Sequence, residues 1–316
     1  MSTFDPDALE CLAAIVEEGG FERAAQRLSI TQSAVSQRLR ALESQVGTVL
    51  IVRSRPLKAT SAGRLLLKHT KMLRLLRADL ERDMKELAPG SLGASGSGRE
   101  EERIAIAINA DSIATWALPA LTTLAQQGLA LEIIADDQNF TQEWLREGQV
   151  LGCVTTLKQA LRGCKMVALG AMEYVAVATP AFAQARLTSS GQTPGQTKAQ
   201  LTAHNFRSVP FIAFNRKDDM QTEFVGKAFG LKRVTLNQIF VPSSEGQVRA
   251  VLAGWGVSVV PRLLAEGLMQ QGLLVNAAPG CSLQVQLYWH CWNLESEVLD
   301  ALTQAISDAA KQSLAR

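Results

Sequence analysis

Between residues 7 and 87 the apolar positions recur at helical spacing, and each run stops at a recognisable terminator. Leu9, Leu12, Ala13, Ile15 and Val16 supply one face of a helix predicted over 7–18, which Gly19 and Gly20 end. A short helical pattern over 21–28 is joined by Ser29-Ile30 to a second one. In the second, Val35, Leu39, Leu42 and Val46 recur at spacings of 4, 3 and 4, the apolar stripe of a single helix face. Ser33, Ser36, Gln37 and Arg40 lie on a different face, and none is apolar. Thr31 precedes this helix, where its hydroxyl can accept a free backbone N–H of the first turn. Leu50-Ile51-Val52 then reads as a short strand and Arg53 to Lys58 as a turn with three cations. A second short strand ends near Ala59. Two helices on a tight turn followed by a small hairpin predict a winged helix-turn-helix.

From Ser61 to about Leu87 the pattern is helical again, with Leu66, Leu73, Leu80 and Leu87 one heptad apart. A repeat that spans the whole segment favours a helix that pairs with another copy. The competing reading is an amphipathic helix packed on its own domain. Pro89 to Gly98 is rich in Gly and Ser, and Arg99 to Glu102 is charged, which together make a flexible linker.

Beyond Arg103 short apolar runs alternate with amphipathic stretches. Strands are predicted at 104–108, 131–135, 150–154, 174–178, 210–214, 238–241, 257–260 and 283–289. Helices are predicted at 112–126, 141–147, 220–228, 244–253, 261–267 and 295–313. This alternation implies an α/β domain with largely parallel strands. Roughly 210 residues exceed one such sheet, so two lobes are expected. Ligands of such domains sit in a cleft at the carboxyl ends of strands.

Charge changes the picture most. The chain of 316 residues carries a net +2, yet Arg23 to Arg77 holds twelve Lys or Arg against one acid, Glu43. A bland solvated face mixes signs, so this concentration points to a polyanion. Gln32, Ser33, Ser36, Gln37 and Arg40 are the candidates for reading bases in a DNA major groove, with Thr31 at the helix start. Arg38 and Arg53 are candidates for phosphates, as are Arg55 and Lys58 on the wing. Arg55 is also within the scope of a minor-groove contact.

Other chemistry is sparse. The five cysteines are odd in number and widely scattered, which argues for reduced thiols and against a disulfide framework. There is no Gly-x-Ser-x-Gly, no phosphate-cradling glycine loop and no His/carboxylate metal set, so neither an enzyme, a cofactor nor a metal is expected. No apolar run approaches the roughly 20 residues that span a bilayer. The N-terminus does not read as a signal peptide, so a cytoplasmic location is expected.

The effector candidates come from strand ends. Asp111-Ser112 follows one predicted strand and opens a helix, where free N–H groups suit a carboxylate. Thr155 follows a second, and Ser243-Ser244 opens another helix after a third. Asp111, Asp218, Asp219 and Glu245 are carboxylates placed to meet cations. The competing reading is that these residues cap helices or supply ordinary first-turn charge.

The sequence resembles the LysR-type transcriptional regulators. The resemblance rests on Phe21-Glu22-Arg23-Ala24-Ala25, on Thr31 to Leu39, and on Leu42-Glu43 followed by Val46-Gly47. Ser33 stands where many members have proline. The second half resembles the branch that senses basic amino acids, ArgP/LysG. Asn109 to Ser112, Ala114-Thr115-Trp116, Leu118 to Leu121, Phe214, Asp218 to Met220, Ser243 to Glu245 and Leu287 to His290 carry it. The resemblance implies a winged helix-turn-helix head over 1–60, a pairing helix over 61–89, a linker over 90–102 and a periplasmic-binding-protein-like effector domain over 103–316. Its lobes would be 103–171 with 281–316, and 172–280. It implies a regulator, expected to activate, that binds double-stranded promoter DNA and senses lysine or arginine to control basic amino acid export or metabolism. Partners would be further copies in a homodimer or homotetramer, with RNA polymerase a candidate. The alternatives are a regulator of the same type for another small metabolite, and an architectural DNA-binding protein without an effector.

Overall fold

The computed structural model describes residues 4–52, 54, 57–87, 103–136, 141–188 and 199–315. Arg53 and Arg55 of the expected wing turn, and the linker expected at 90–102, lie outside the described residues. The chain divides into two compact units: 1–105 with 143–151 and 294–300, and 106–142 with 152–293 and 301–316.

The first unit opens with α1 (Pro6–Glu17), α2 (Phe21–Arg27) and α3 (Gln32–Val46). Asp5 caps α1 by accepting the Asp7 N–H, and Thr31 caps α3 by accepting the Ala34 N–H at 3.1 Å. Gly47, at φ 78°, closes α3 in the left-handed region. Between α2 and α3, Ser29 also takes a positive φ of 53°, and the Ile30 N–H returns to the Ala25 carbonyl. That compact turn sets the angle between the two helices. Leu9, Leu12, Ile15, Ala24, Val35, Leu39 and Leu42 close one core with Leu50 and Ile51. Each large aliphatic side chain so buried contributes about 1.5–3 kcal/mol.

The wing is β1 (Ile51–Val52) paired antiparallel with β2 (Lys58–Ala59), Val52 facing Lys58. Lys58 therefore lies in the second strand and not in the turn, where it was expected. Glu43, the acid of the basic stretch, accepts the Leu50 N–H at 2.9 Å and fixes the entry to the wing.

The long helix α4 (Ser61–Leu87) follows. Leu66, Leu67, Thr70, Leu75 and Asp79 are buried, whereas Leu65, Leu73, Leu76, Leu80 and Met84 are exposed. The expected heptad seam is thus corrected. Leu66 belongs to the core of its own unit, Leu73 and Leu80 to an outward stripe, and the side chain of Leu87 lies outside the described residues. Arg74, only 12% exposed, clamps α4 to α1 through Glu10 and, at 3.0 Å, Glu17.

From residue 104 on the chain builds one mixed sheet with its helices, all in the second unit but for residues 104–105, 143–146 and 297–300. Its elements are β3 (Ile104–Asn109), α5 (Ala110–Ser112), a π-helical turn (Ile113–Ala117), α6 (Leu118–Gln126), β4 (Leu131–Asp136), α7 (Thr141–Arg146), β5 (Gly152–Thr155), β6 (Cys164–Ala178), α8 (Pro180–Arg186), β7 (Pro210–Ala213), α9 (Met220–Phe229), β8 (Asn237–Phe240), α10 (Ser244–Leu252), β9 (Val257–Pro261), α11 (Arg262–Gln270), β10 (Val275–Asn276), β11 (Leu283–Trp292) and α12 (Glu297–Ser313). The strand order is β4-β3-β5-β11-β6-β9-β7-β8, with β10 on β6. β3/β5, β7/β8 and β7/β9 are parallel, as expected. The central pairs β5/β11, β11/β6 and β6/β9 are antiparallel, contrary to a largely parallel sheet. Two half-sheets thus flank a shared antiparallel hub, which gives the two lobes. The hub strand β6 starts ten residues before the predicted 174–178, because Lys165, Met166 and Ala168 on its first half are exposed and break the apolar run.

Buried glutamines tie helices to this sheet. Gln221 of α9 exchanges both amide atoms with Val259 of β9, and Gln247 of α10 accepts from Ser258. All five thiols are free, and burial pushes the Cys153 thiol far above its ordinary pKa, leaving it a poor nucleophile.

A substitution at Gly63 tests the junction between wing and α4. A Cβ there would sit inside van der Waals contact of the Leu50 carbonyl oxygen and against Ala59. Gly63→Ala is expected to lower the stability of the full-length protein by about 1–3 kcal/mol. A chemical denaturation midpoint equal to the parent's would refute the packing described.

Candidate functional site

Two sites take shape, one in each unit. On α3 the apolar stripe is spent in the core, so the opposite face is what remains. Gln32, Ser33, Gln37 and Arg40 are exposed and Ser36 is half-buried. Thr31 uses its hydroxyl on the helix cap. The basic stretch sorts itself by partner. Arg27 bonds Glu17 and Glu18, Arg38 bonds Asp7 at 3.1 Å, and Arg74 bonds Glu10 and Glu17. These three cations balance the acids of α1. Arg40 and Lys58 are exposed and carry no ion pair among the described residues. Arg38 is therefore held against α1 by a solvent-exposed pair of the kind worth under about 1 kcal/mol.

The second site is an open cleft lined by Asn109, Ala110, Asp111, Asp136, Tyr174, Phe214, Asp218, Met220, Gln247 and Val259. Most of these lie at the carboxyl ends of β3, β4 and β7, where open α/β sheets bind ligands. Asp111 is the meeting point. Its Oδ2 accepts from the Tyr174 hydroxyl at 2.7 Å, and its Oδ1 from the Ser244 hydroxyl at 2.6 Å. Tyr174 belongs to the hub strand, and Ser244 opens α10. The helical path after β3 runs through a π turn, a feature concentrated at functional positions.

Asp218 lines the cleft while stapling the loop that shapes it. Its two oxygens accept the Phe214 N–H at 2.8 Å and the Met220 N–H at 2.9 Å. Asp111 and Asp218 are thus brought together with Asp136, which the strand-end reasoning missed. The signal was present: Asp136 ends the predicted strand 131–135 just as Asp111 follows 104–108. Tyr174, Gln247 and Asn109 were missed because only the fold brings them here.

The other predicted effector residues are placed elsewhere. Thr155 donates to Gln142 at 2.9 Å and accepts the Leu157 N–H, so its hydroxyl serves the fold. Ser243 caps α10 by accepting the Gly246 N–H, and is exposed. Ser244 acts through Asp111. Asp219 and Glu245 are exposed at the starts of α9 and α10, where the helix dipole favours acids. Ser112 is buried and its hydroxyl has no hydrogen-bond partner.

A winged head with an outward polar helix, followed by a two-lobed domain with a polar cleft, defines a DNA-binding regulator that carries its own sensor domain. The model of bacterial regulatory helix-turn-helix proteins of the lysR family matches residues 6–64, and that of the LysR substrate binding domain matches 97–314. The chain belongs to the LysR family of transcriptional regulators. It is 38% identical to the HTH-type transcriptional regulator ArgP of Aeromonas salmonicida, over 99% of both chains. Its structure is similar to that of ArgP from Mycobacterium tuberculosis, with a TM-score of 0.83, 36% identity and 99% of both chains covered. It is similar also to full-length LysG from Corynebacterium glutamicum with bound effector Arg, with a TM-score of 0.72, 34% identity, and 99% of this chain and 100% of that one covered.

The Asp218 staple yields a prediction. Asp218→Ala removes the acceptor of two backbone N–H groups, and hydrogen bonds to a charged group contribute about 1.5–3 kcal/mol each. The variant is expected to melt several degrees below the parent, with local amide exchange at Phe214 and Met220 accelerated. Unchanged exchange at both amides would refute the role.

Proposed function

We propose that the cleft binds lysine or arginine, and that occupancy controls the DNA-binding head, activating genes for basic amino acid export or metabolism. The observation that carries this is the convergence of Asp111, Asp136 and Asp218 on a cleft whose lining, among the described residues, contains no Lys or Arg. Such a site favours a ligand with net positive charge, and a basic amino acid offers two cations against one carboxylate. The LysG structure with bound Arg supports the choice. Asp111 and Asp218 are the direct contacts of this reading; Thr155, Asp219, Ser243 and Glu245 serve loops and helix starts, and Ser112 stays beside Asp111 as a buried hydroxyl without a hydrogen-bond partner.

On the DNA side we propose that Gln32, Ser33, Ser36, Gln37 and Arg40 read bases and that Lys58, with Arg53 and Arg55, holds phosphates. The assignment of 1–60 as head, 61–89 as pairing helix, 90–102 as linker and 103–316 as effector domain belongs to the same reading. The outward stripe of Leu65, Leu73, Leu76, Leu80 and Met84 on α4 supports pairing of two copies. A homotetramer, contact with RNA polymerase and a cytoplasmic location complete the reading. No helix among the described residues is long and apolar enough to cross a membrane.

Calorimetric titration tests the effector. Lysine or arginine is expected to bind the full-length protein, and Asp136→Asn to weaken binding by about 2 kcal/mol, roughly thirtyfold in Kd, with operator affinity unchanged. Absence of binding by both amino acids would sink the proposal.

Operator binding tests the interface. Gln37→Ala and Arg40→Ala are each expected to cost about 1–3 kcal/mol and to relax specificity at one base pair. Lys58→Ala should weaken all duplexes alike and lower the salt slope by about 1. Equal loss on specific and scrambled DNA for every variant would favour an architectural role instead.

A further inference from the structure

Asn109 ends β3 on the wall of the cleft and is only 2% exposed, yet neither its amide nitrogen nor its amide oxygen has a hydrogen-bond partner. Leaving a buried polar group unsatisfied costs about 1–3 kcal/mol, so folds rarely keep one without a use. The other side-chain donors that line the cleft among the described residues each have a partner. The Tyr174 hydroxyl goes to Asp111, and one N–H of the Gln247 amide to the Val241 carbonyl at 3.4 Å. No side-chain cation among the described residues lines the cleft. A ligand carboxylate entering this acidic site therefore finds, among the described residues, a lining side-chain amide that has no partner at all, that of Asn109.

We infer that Asn109 is the specificity-determining residue that makes this cleft select an α-amino acid over a plain amine. The inference rests on the cleft reading of the previous subsection and deepens it. A side-chain amide offers a donor and an acceptor side by side. The α-carbon of an amino acid offers an acceptor and a donor in the same relation, its carboxylate and its ammonium. Asn109 would bond both, beside Asp111, which leaves Asp136 and Asp218 for the cation at the far end of the side chain. The three carboxylates alone would prefer the decarboxylated amine, which carries more positive charge and nothing they repel. Discrimination has to come from a group that rewards the carboxylate.

The test compares lysine with cadaverine, and arginine with agmatine, on the full-length protein by calorimetry. Each second ligand lacks only the carboxylate. The parent is expected to bind the amino acid at least about tenfold tighter than its amine. Asn109→Asp keeps the shape but replaces the donor with a charge that repels the carboxylate. It is expected to lose at least about tenfold for lysine and arginine while holding or gaining affinity for the amines. Asn109→Ala removes both amide atoms without adding charge. It should fold if the aspartate variant does not, and should show the same loss for amino acids with amines unaffected. Equal loss for both members of each pair, or no loss for the amino acids, overturns the inference. A parent that binds amines as tightly as amino acids also overturns it while leaving the cleft reading intact. A parent that binds neither removes the cleft reading itself, and the inference with it.

Discussion

Both lobes of the larger unit depend on one ladder. β6 and β11 pair antiparallel from Leu283 opposite Tyr174 to Trp292 opposite Cys164. β5 attaches to the outer edge of β11, and β9 to that of β6. Neither half-sheet closes its core without that ladder, so the lobes share a floor and do not merely touch. The register shifts between Leu287 and Tyr288, opposite Gly170, whose φ of 124° suits only glycine. A side chain at 170 would run into the Ala315 carbonyl, which accepts from the Ala171 N–H. The chain end is thus stitched to the ladder where the ladder bends.

That ladder also fixes the chemistry. Tyr174 projects from β6 to Asp111, and Asp111 reaches Ser244 across the cleft. One carboxylate therefore bonds the hub and the second lobe at once. Had either partner been apolar, Asp111 would be an ordinary first-turn acid. With both in place, any cation that approaches it must share or displace hydrogen bonds that hold lobe to hub.

How legible this was follows from the range of each interaction. The helix-turn-helix rests on periodicity, caps and a short turn, all local, and its elements appear where the spacing of Val35, Leu39 and Leu42 put them. The strands of the second unit were found wherever they are buried on both faces, as in β7 and β9. The first half of β6 was missed because exposed Lys165 and Met166 interrupt it. Helix α8 and the short β10 gave no pattern strong enough to register. In the cleft, Asp111 and Asp218 were visible as acids at strand ends. Thr155 and Glu245 satisfied the same rule and lie outside the lining, because strand ends say nothing about rotation around the axis. Asn109, Tyr174 and Gln247 come from positions 109, 174 and 247 and meet only through the sheet. The Leu66 heptad failed for a related reason. Seven-residue spacing marks a stripe, but which stripe faces the core depends on α1, which holds α4 through Arg74.

The size of the Asp111 contact bears on how such a sensor can signal. A ligand shifts an equilibrium between lobe arrangements only by its difference in affinity for them. Coupling in allosteric proteins is typically about 1–3 kcal/mol. A hydrogen bond to a charged group contributes about 1.5–3 kcal/mol, so the Asp111–Ser244 bond alone is on the scale of a working switch. A full reversal from one state to the other needs about 5.5 kcal/mol, beyond what one such bond provides. A regulator built on this cleft therefore either responds in a graded way or recruits further contacts. Pairing of two copies through α4, as proposed above, would offer a means, since two cleft domains acting on one dimer would double the free energy available to reposition its heads.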